Sequence, residues 1–353
     1  MDLLILAVAF LTILFGAELF TNGIEWFGHK LGLAEGAVGS VLAAVGTALP
    51  ETMIPLIAIL VTGTTSANEV GVGAILGAPF MLATLAMFVT GVAVVVVGRS
   101  RPEGDRMPVD TAVLGHDMRY FGIAYALAIA VALVPSDVAW PRYIVAGLLI
   151  AIYVVYVRGH FSEEGSESVP DGLGPLRLQR LDRNAPVDGD APAGVPRLRI
   201  VSFQVIVALG LIVVGAYAFV GAVESLAHSL GVDDALLALV VAPIATELPE
   251  KFNSVIWVRQ GKDTLAMGNI TGAMVFQATI PTVIALVFAS DHWAITADST
   301  LAFTSALIAF ASSAAIFVPM AIRHRLYGRG LLVGGLFYVG FVGLVVGRLA
   351  GLV

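Results

Sequence analysis

Apolar positions in this chain come in long unbroken runs, not in the alternating or every-third-residue patterns of water-soluble elements. A helix needs about 20 such residues to cross a bilayer. Ten stretches approach or exceed that length: 2–27, 36–61, 69–98, 120–135 and 141–158, then 200–228, 235–258, 264–289, 299–319 and 330–350. Between the fifth and sixth lies a polar insert, Gly159 to Arg199, rich in Pro, Gly, Asp, Glu and Arg and without apolar periodicity. It reads as a flexible linker, and it is too short for most independent domains.

The two apolar halves repeat one another. GTALPE at Gly46–Glu51 is matched by ATELPE at Ala245–Glu250, an offset of 250 − 51 = 199. The same offset carries Gly16 to Gly215, Phe20 to Phe219, Glu25 to Glu224 and His29 to His228. Downstream, GAILGA at Gly73–Ala78 matches GNITGA at Gly268–Ala273, with the offset reduced to 268 − 73 = 195. Such self-similarity defines the architecture before any single residue is considered. Because each half has five spans, an odd number, the second copy must enter the membrane from the opposite face. The expected fold is therefore an all-α polytopic membrane protein of about ten transmembrane helices in two inverted five-helix repeats. These are 1–158 and 200–353, joined by a 159–199 linker. Inverted repeats characterise secondary transporters, whose substrate site lies near the midplane where the halves meet.

Composition agrees. Of 353 residues, 58% are hydrophobic and 13% charged, with a mean hydropathy of +0.92, whereas soluble proteins carry about a quarter charged residues. There is no cysteine, which excludes disulfides and thiolate metal sites. The stretch from Leu3 to Phe15 lacks a basic n-region and a cleavage site, and reads as the start of the first span. Lys30, Arg99, Arg101, Arg106, Arg119, Arg158, the arginines from Arg177 to Arg199, Arg259, Lys262, Arg323, Arg325 and Arg329 all fall after odd-numbered spans. Only Arg142 and Arg348 fall on the other side. The positive-inside rule then places both termini outside and the linker in the cytoplasm of a cell (inner or plasma) membrane protein. The expected partners are inorganic cations and the lipid bilayer, with no nucleic acid, and the unit is expected to work as a monomer.

The candidate chemistry sits in the repeated motif. Glu51 and Glu250 each follow a proline near mid-span, and an intramembrane carboxylate is costly and usually functional. Pro50 and Pro249 cannot donate to the carbonyls of Gly46 and Ala245, a break tolerated only beside protein, water or an ion. Thr47 and Thr246 place a hydroxyl one turn earlier on the same face. Two carboxylates, two hydroxyls and freed carbonyls make a set of hard oxygens suited to Ca²⁺, Na⁺ or another hard cation. Asn269 is a further oxygen ligand or a packing hydrogen bond. Glu247 either pairs with Lys251 four residues on or lines the site as a third ligand or proton carrier, the lining role being favoured. Gly73/Gly77 and Gly268/Gly272 permit close helix packing, pressing the third and eighth spans against the Pro-Glu helices. His29 and His228 read as polar caps of turns, and Glu25 and Glu224 as residues of the membrane edge. Glu18 faces Tyr217 in the repeat and gains no support from symmetry.

On these motifs the sequence resembles the Ca²⁺/cation antiporter superfamily, especially prokaryotic sodium/calcium exchangers. The family's paired pattern is close to G-T-S-x-P-E followed a helix later by G-N-x-x-G-S-N. The resemblance implies that Glu51 and Glu250 ligate Ca²⁺ with help from Thr47 and Thr246, and that the first and sixth spans slide against the core. This chain departs from the pattern at Ala48 and Glu247, and at Ala78-Pro79 and Ala273-Met274, positions that in the family help form the Na⁺ sites. Proton coupling through Glu247 is the corresponding alternative. The expected function is a secondary active antiporter exporting Ca²⁺ in exchange for Na⁺ or H⁺, without a resident cofactor. The rival classes are an antiporter for another cation, an intramembrane enzyme and a non-transporting binding protein. No HExxH or aspartate-rich motif supports the enzyme.

Overall fold

In the computed structural model, which describes residues 2–33, 37–48, 51–52, 55–56, 59–60, 65–162, 174–181, 196–230, 248–296 and 299–349, long helices follow the hydropathy pattern closely. They are α1 (Asp2–Lys30), α2 (Val38–Thr47), α3 (Thr65–Val97), α4 (Thr111–Val131), α5 (Trp140–Ser162), α6 (Leu198–Leu230), α7 (Leu248–Arg259), α8 (Asp263–Phe288), α9 (Thr300–Arg323) and α10 (Val333–Leu349). Among the described residues, seven helices are long and apolar enough to cross a membrane. The three outside that set are α2, α4 and α7. Two of them lie beside or contain the Pro-Glu motifs of the sequence, and the third carries His116, Asp117 and Arg119 in its first turns.

That polar start explains a span whose limits differ clearly from expectation. Hydropathy places the fourth span at 120–135, but α4 begins at Thr111 and ends at Val131. Asp110 fixes the start: its side chain accepts from the backbone N–H groups of Ala112 (2.8 Å) and Val113 (3.2 Å), a side-chain N-cap. Hydropathy penalises Asp117, yet Asp117 is fully buried among other helices.

The inverted repeat is visible in side-chain contacts. A Cβ on Gly16 would lie 3.0 Å from Ile212 and 3.2 Å from the Ala208 carbonyl oxygen. One on Gly215 would lie 2.9 Å from Ile13 and 3.2 Å from the Ala9 carbonyl oxygen. Each of these residues is 199 positions from its counterpart (215 − 16, 212 − 13, 208 − 9). One contact thus occurs twice with the roles exchanged, as a two-fold relation requires. Further along, Gly23 approaches Gln204 and Val205, so α1 and α6 run antiparallel, which is the inversion itself.

Connections after odd-numbered spans gather at one end of the bundle. The 106–107 strand (β1) pairs antiparallel with 326–327 (β2), and Arg329 meets Asp105 at 3.1 Å. Arg101 grips Asp263 at the start of α8. Lys262 and the Trp257 indole both bond Glu25 near the end of α1. Glu25, expected at the membrane edge, is thereby a buried ion-pair partner. Gly32 and Gly261, with φ of +64° and +77°, close α1 and α7 in Schellman turns: Leu33 N–H bonds Gly28 O and Lys262 N–H bonds Trp257 O. At the opposite end Ile295 N–H bonds Ala132 O, and Arg142 spends its guanidinium on the carbonyls of Val134, Pro135, Val138 and Trp293. Arg142 ran against the charge asymmetry, but it is a buried brace for two loops, not a surface charge.

The middle of the insert departs from a freely moving linker. Residues 174–181 lie on α1 and α6: Trp26 Nε1 bonds Gly174 O (2.9 Å), Leu178 N–H bonds Gln204 Oε1 (2.8 Å) and Arg177 pairs with Glu18 (2.8 Å). Leu176 packs in a small core with Trp26 and Val201. Even a polar segment docks when one leucine finds an apolar pocket and its backbone groups find partners.

The Arg101–Asp263 pair is nearly or fully buried on both sides. Breaking such a pair leaves an uncompensated charge and costs about 3–5 kcal/mol. Arg101→Ala is expected to lower the melting temperature in detergent sharply, and the double change Arg101→Met/Asp263→Leu to recover most of it. Equal melting of wild type and Arg101→Ala would show that the pair contributes no stability.

Candidate cation site

The site starts from a helix that cannot stay regular. In α2 the chain runs as a π-helical turn over Val38–Ala43 before one α-turn at Ala44–Thr47. Such π segments concentrate where a function bends the helix. Proline at position 50 removes the donor that would have satisfied Gly46.

The small residues of α8 decide what α2 meets. A Cβ on Gly272 would lie 2.0 Å from the Ser40 carbonyl oxygen, and one on Gly268 would lie 2.9 Å from the Ser40 hydroxyl; Gly39 in turn abuts the Leu265 backbone. The Gly268/Gly272 pair therefore presses the eighth span against a Pro-Glu helix, namely that of the opposite repeat. A Cβ on Gly73 or Gly77 would meet nothing within 4 Å among the described residues.

This crossing brings two of the candidate ligands together. Thr47 and Asn269, one from each repeat, are both fully buried, and the Thr47 hydroxyl donates to Asn269 Oδ1 at 3.1 Å while also reaching the Ala43 carbonyl at 3.0 Å. Glu51 follows one turn later with both carboxylate oxygens buried. Glu250 is the third residue of α7, its side chain outside the described set, and Thr246 and Glu247 lie outside the described residues. So does any pairing of Glu247 with Lys251, whose own side chain is buried. One turn beyond Glu250, Asn253 is buried and accepts from the Thr21 hydroxyl of α1 at 2.8 Å. The described residues bring hydroxyl and amide oxygen together from the two repeats, with the Glu51 carboxylate buried one turn on, oxygen types that suit a hard cation.

A second polar cluster was missed by sequence reasoning. His116, Asp117 and His160 place their ligand atoms within 4.8 Å of one another, beside α2 and α8. The signal was present in the His-Asp pair, but hydropathy put those residues before the fourth span instead of inside it.

Inverted helical repeats whose buried polar side chains meet between the halves have the layout of a polytopic secondary transporter. The chain belongs to the sodium/calcium exchanger protein family, whose model matches residues 1–161 and 201–349. Among curated relatives it is similar to inner membrane protein YrbG of Escherichia coli (strain K12), with 24% identity over 280 residues, 78% of this chain and 76% of that protein. It is also similar to the putative antiporter CaxA of Alkalimonas amylolytica, 34% identical over 71 residues, 20% of this chain and 22% of that protein. Among solved structures, the sodium-calcium exchanger NCX_Mj soaked with 2.5 mM Na⁺ and 1 mM Sr²⁺ superposes with a TM-score of 0.71 at 15% identity, covering 97% of both chains. NCX_Mj soaked with zero Na⁺ and Ca²⁺ gives 0.71 at 14% identity, covering 97% of this chain and 98% of that one. The family and the structural neighbours are transporters of inorganic cations, not enzymes.

Proposed function

We propose that this protein exports Ca²⁺, or a similar hard divalent cation, in exchange for Na⁺ or H⁺, with the ion held between Glu51 and Glu250. Thr47, Thr246, Asn269 and Glu247 would complete its oxygen shell. The observation that carries this is the Thr47–Asn269 hydrogen bond, which joins the oxygen-bearing residues of both repeats one turn from the buried carboxylate oxygens of Glu51. Ion and counter-ion compete for the same carboxylates, so only loaded or exchanged states cross readily. The glycine-lined crossing of α1 and α6 suits the pair to move as one unit past the core. We place the protein in the cell membrane as a monomer, with both termini outside and the 159–199 segment cytoplasmic.

Between the two counter-ions, apolar residues at Ala48, Ala78, Ala273 and Met274 and proline at Pro79 favour H⁺, since these side chains offer no oxygen to Na⁺. Glu247 is the candidate carrier. Radiolabelled Ca²⁺ uptake into proteoliposomes under imposed Na⁺ and H⁺ gradients tests the proposal. Uptake should require a counter-ion on the opposite side. Equal uptake with and without that counter-ion would refute exchange and indicate a channel.

A further inference from the structure

Asp117 collects donors from three other helices. Its Oδ2 accepts from the Ser40 hydroxyl of α2 at 2.8 Å and the Thr271 hydroxyl of α8 at 2.5 Å. Its Oδ1 accepts from the Tyr156 hydroxyl at 3.1 Å and faces His160 Nε2 at 2.9 Å, both on α5. His160 Nε2 also lies 3.3 Å from His116 Nδ1. Asp117, Tyr156 and His160 are buried, whereas His116 is partly exposed. The row His116, His160, Asp117 thus leads from the rim of the bundle to its interior.

Two features distinguish this cluster from a fixed staple. First, two of the hydroxyls have a second acceptor: Tyr156 also reaches the Ser40 carbonyl at 3.0 Å, and Thr271 the Met267 carbonyl at 3.0 Å. When Asp117 is neutral these hydroxyls can turn to the carbonyls, so neither charge state strands a buried donor. Second, two ring nitrogens face each other, and only one can hold a proton between them. The other is a base.

We infer that His116, His160 and Asp117 form a proton-binding site, loaded through His116, whose occupancy loosens α2 from α4. An incoming proton forms an N–H bond at His116 Nδ1 and turns it into the donor to His160 Nε2. The Nε2–H bond of His160 breaks as an O–H bond forms at Asp117 Oδ1, and the new Nδ1–H bond of His116 breaks as its proton replaces the one lost from His160 Nε2, so both imidazoles end neutral. The net change is one proton gained, with the carboxylate going from −1 to neutral. Hydrogen bonds to a carboxylate are roughly twice as strong as those to its neutral form, so loading weakens the hold on Ser40, seven residues before Thr47. A metal would use the same nitrogens, but it would have to displace hydrogen bonds that already occupy both Asp117 oxygens.

Among the described residues, no other ionisable group besides those named here intrudes from the surrounding elements. On α4, Arg119 is exposed and Tyr120 packs at a tilt against His116; on α5, Arg158 is exposed and Tyr153 packs on Tyr156. Val38–Thr47 holds no ionisable side chain, α8 has only Asp263, tied to Arg101, and α9 only Arg323.

The inference rests on the proposed exchange for its transport readout. In proteoliposomes, wild-type Ca²⁺/Ca²⁺ self-exchange, which moves no net counter-ion, should rise about tenfold as the medium on the His116 side is acidified. Asp117→Asn should be flat with pH, near the acid-limit rate. His116→Gln and His160→Gln should flatten the profile, and Asp117→Glu should keep its slope. A structural role would lower the rate equally at every pH. An Asp117→Asn profile parallel to wild type would overturn the inference while leaving exchange intact. If wild type moves no cation, the proposed function fails, and the proton site is still read by infrared titration in detergent. There the part of the carboxylic acid carbonyl band that Asp117→Asn removes should grow in on acidification and weaken in His116→Gln; a wild-type band identical to that of Asp117→Asn at all pH values, or unchanged by His116→Gln, overturns it.

Discussion

Glu51→Gln is expected to reduce coupled Ca²⁺ exchange by about 100-fold or more, which corresponds to about 2.7 kcal/mol of lost cation stabilisation. The substitution keeps size and hydrogen-bonding capacity but removes one of the two formal charges proposed to face the ion. A divalent cation in a water-poor interior depends on those charges more than on any neutral oxygen, because attraction is screened far less there than in water. Glu250→Gln should act alike, since the repeat assigns it the same role from the opposite side. Initial rates in proteoliposomes, with size-exclusion profiles to confirm folding, provide the measurement. A well-folded Glu51→Gln protein exchanging Ca²⁺ at half the wild-type rate would remove Glu51 from the site.

The second large effect is steric. Gly272→Ala would place a methyl carbon 2.0 Å from the Ser40 carbonyl oxygen and 2.6 Å from its carbonyl carbon and Cα. All three are backbone atoms, so no rotamer relieves the clash. Overpacking a tight core costs about 1–3 kcal/mol, and a contact this close belongs at or above the top of that range. α2 and α8 would be forced apart, and the Thr47–Asn269 bond with them. Gly272→Ala should therefore lower the melting temperature in detergent and cut exchange more than tenfold. Gly147→Ala, where a Cβ meets nothing within 4 Å among the described residues, should do neither. Full stability and activity in Gly272→Ala would mean that the close crossing does not organise the site.

Both expectations begin from features legible in one dimension. Glu51 was found because a Pro-Glu inside an apolar run conflicts with its surroundings, and because the conflict recurs 199 positions later. Gly272 was found as half of a GxxxG pair, although such pairs are common and this one does not name its partner. The structure supplied the partner, Ser40 of the opposite repeat. It also made Asn269 specific, since its contact with Thr47 spans 222 positions and no local pattern connects them.

Asp117 shows where sequence reasoning stops. Hydropathy scores a residue by its own transfer free energy, so an aspartate and two histidines near a span boundary look like a solvated loop. Their burial is affordable only because Ser40, Tyr156 and Thr271 bring donors from three other helices. Trp26, Asn22 and Gln204 likewise hold 174–181 in place, although that segment alone has the composition of a free linker.

Local chemistry was thus enough for an all-helical membrane fold in two inverted halves and for marking Glu51 and Glu250 as candidates, because bilayer thickness and proline geometry act on each segment separately. Which oxygens meet across the repeats, how close α2 comes to α8, and where a buried aspartate finds four donors depended on helix packing. Those energies arise between residues far apart in the chain, and only the folded bundle brings them into contact.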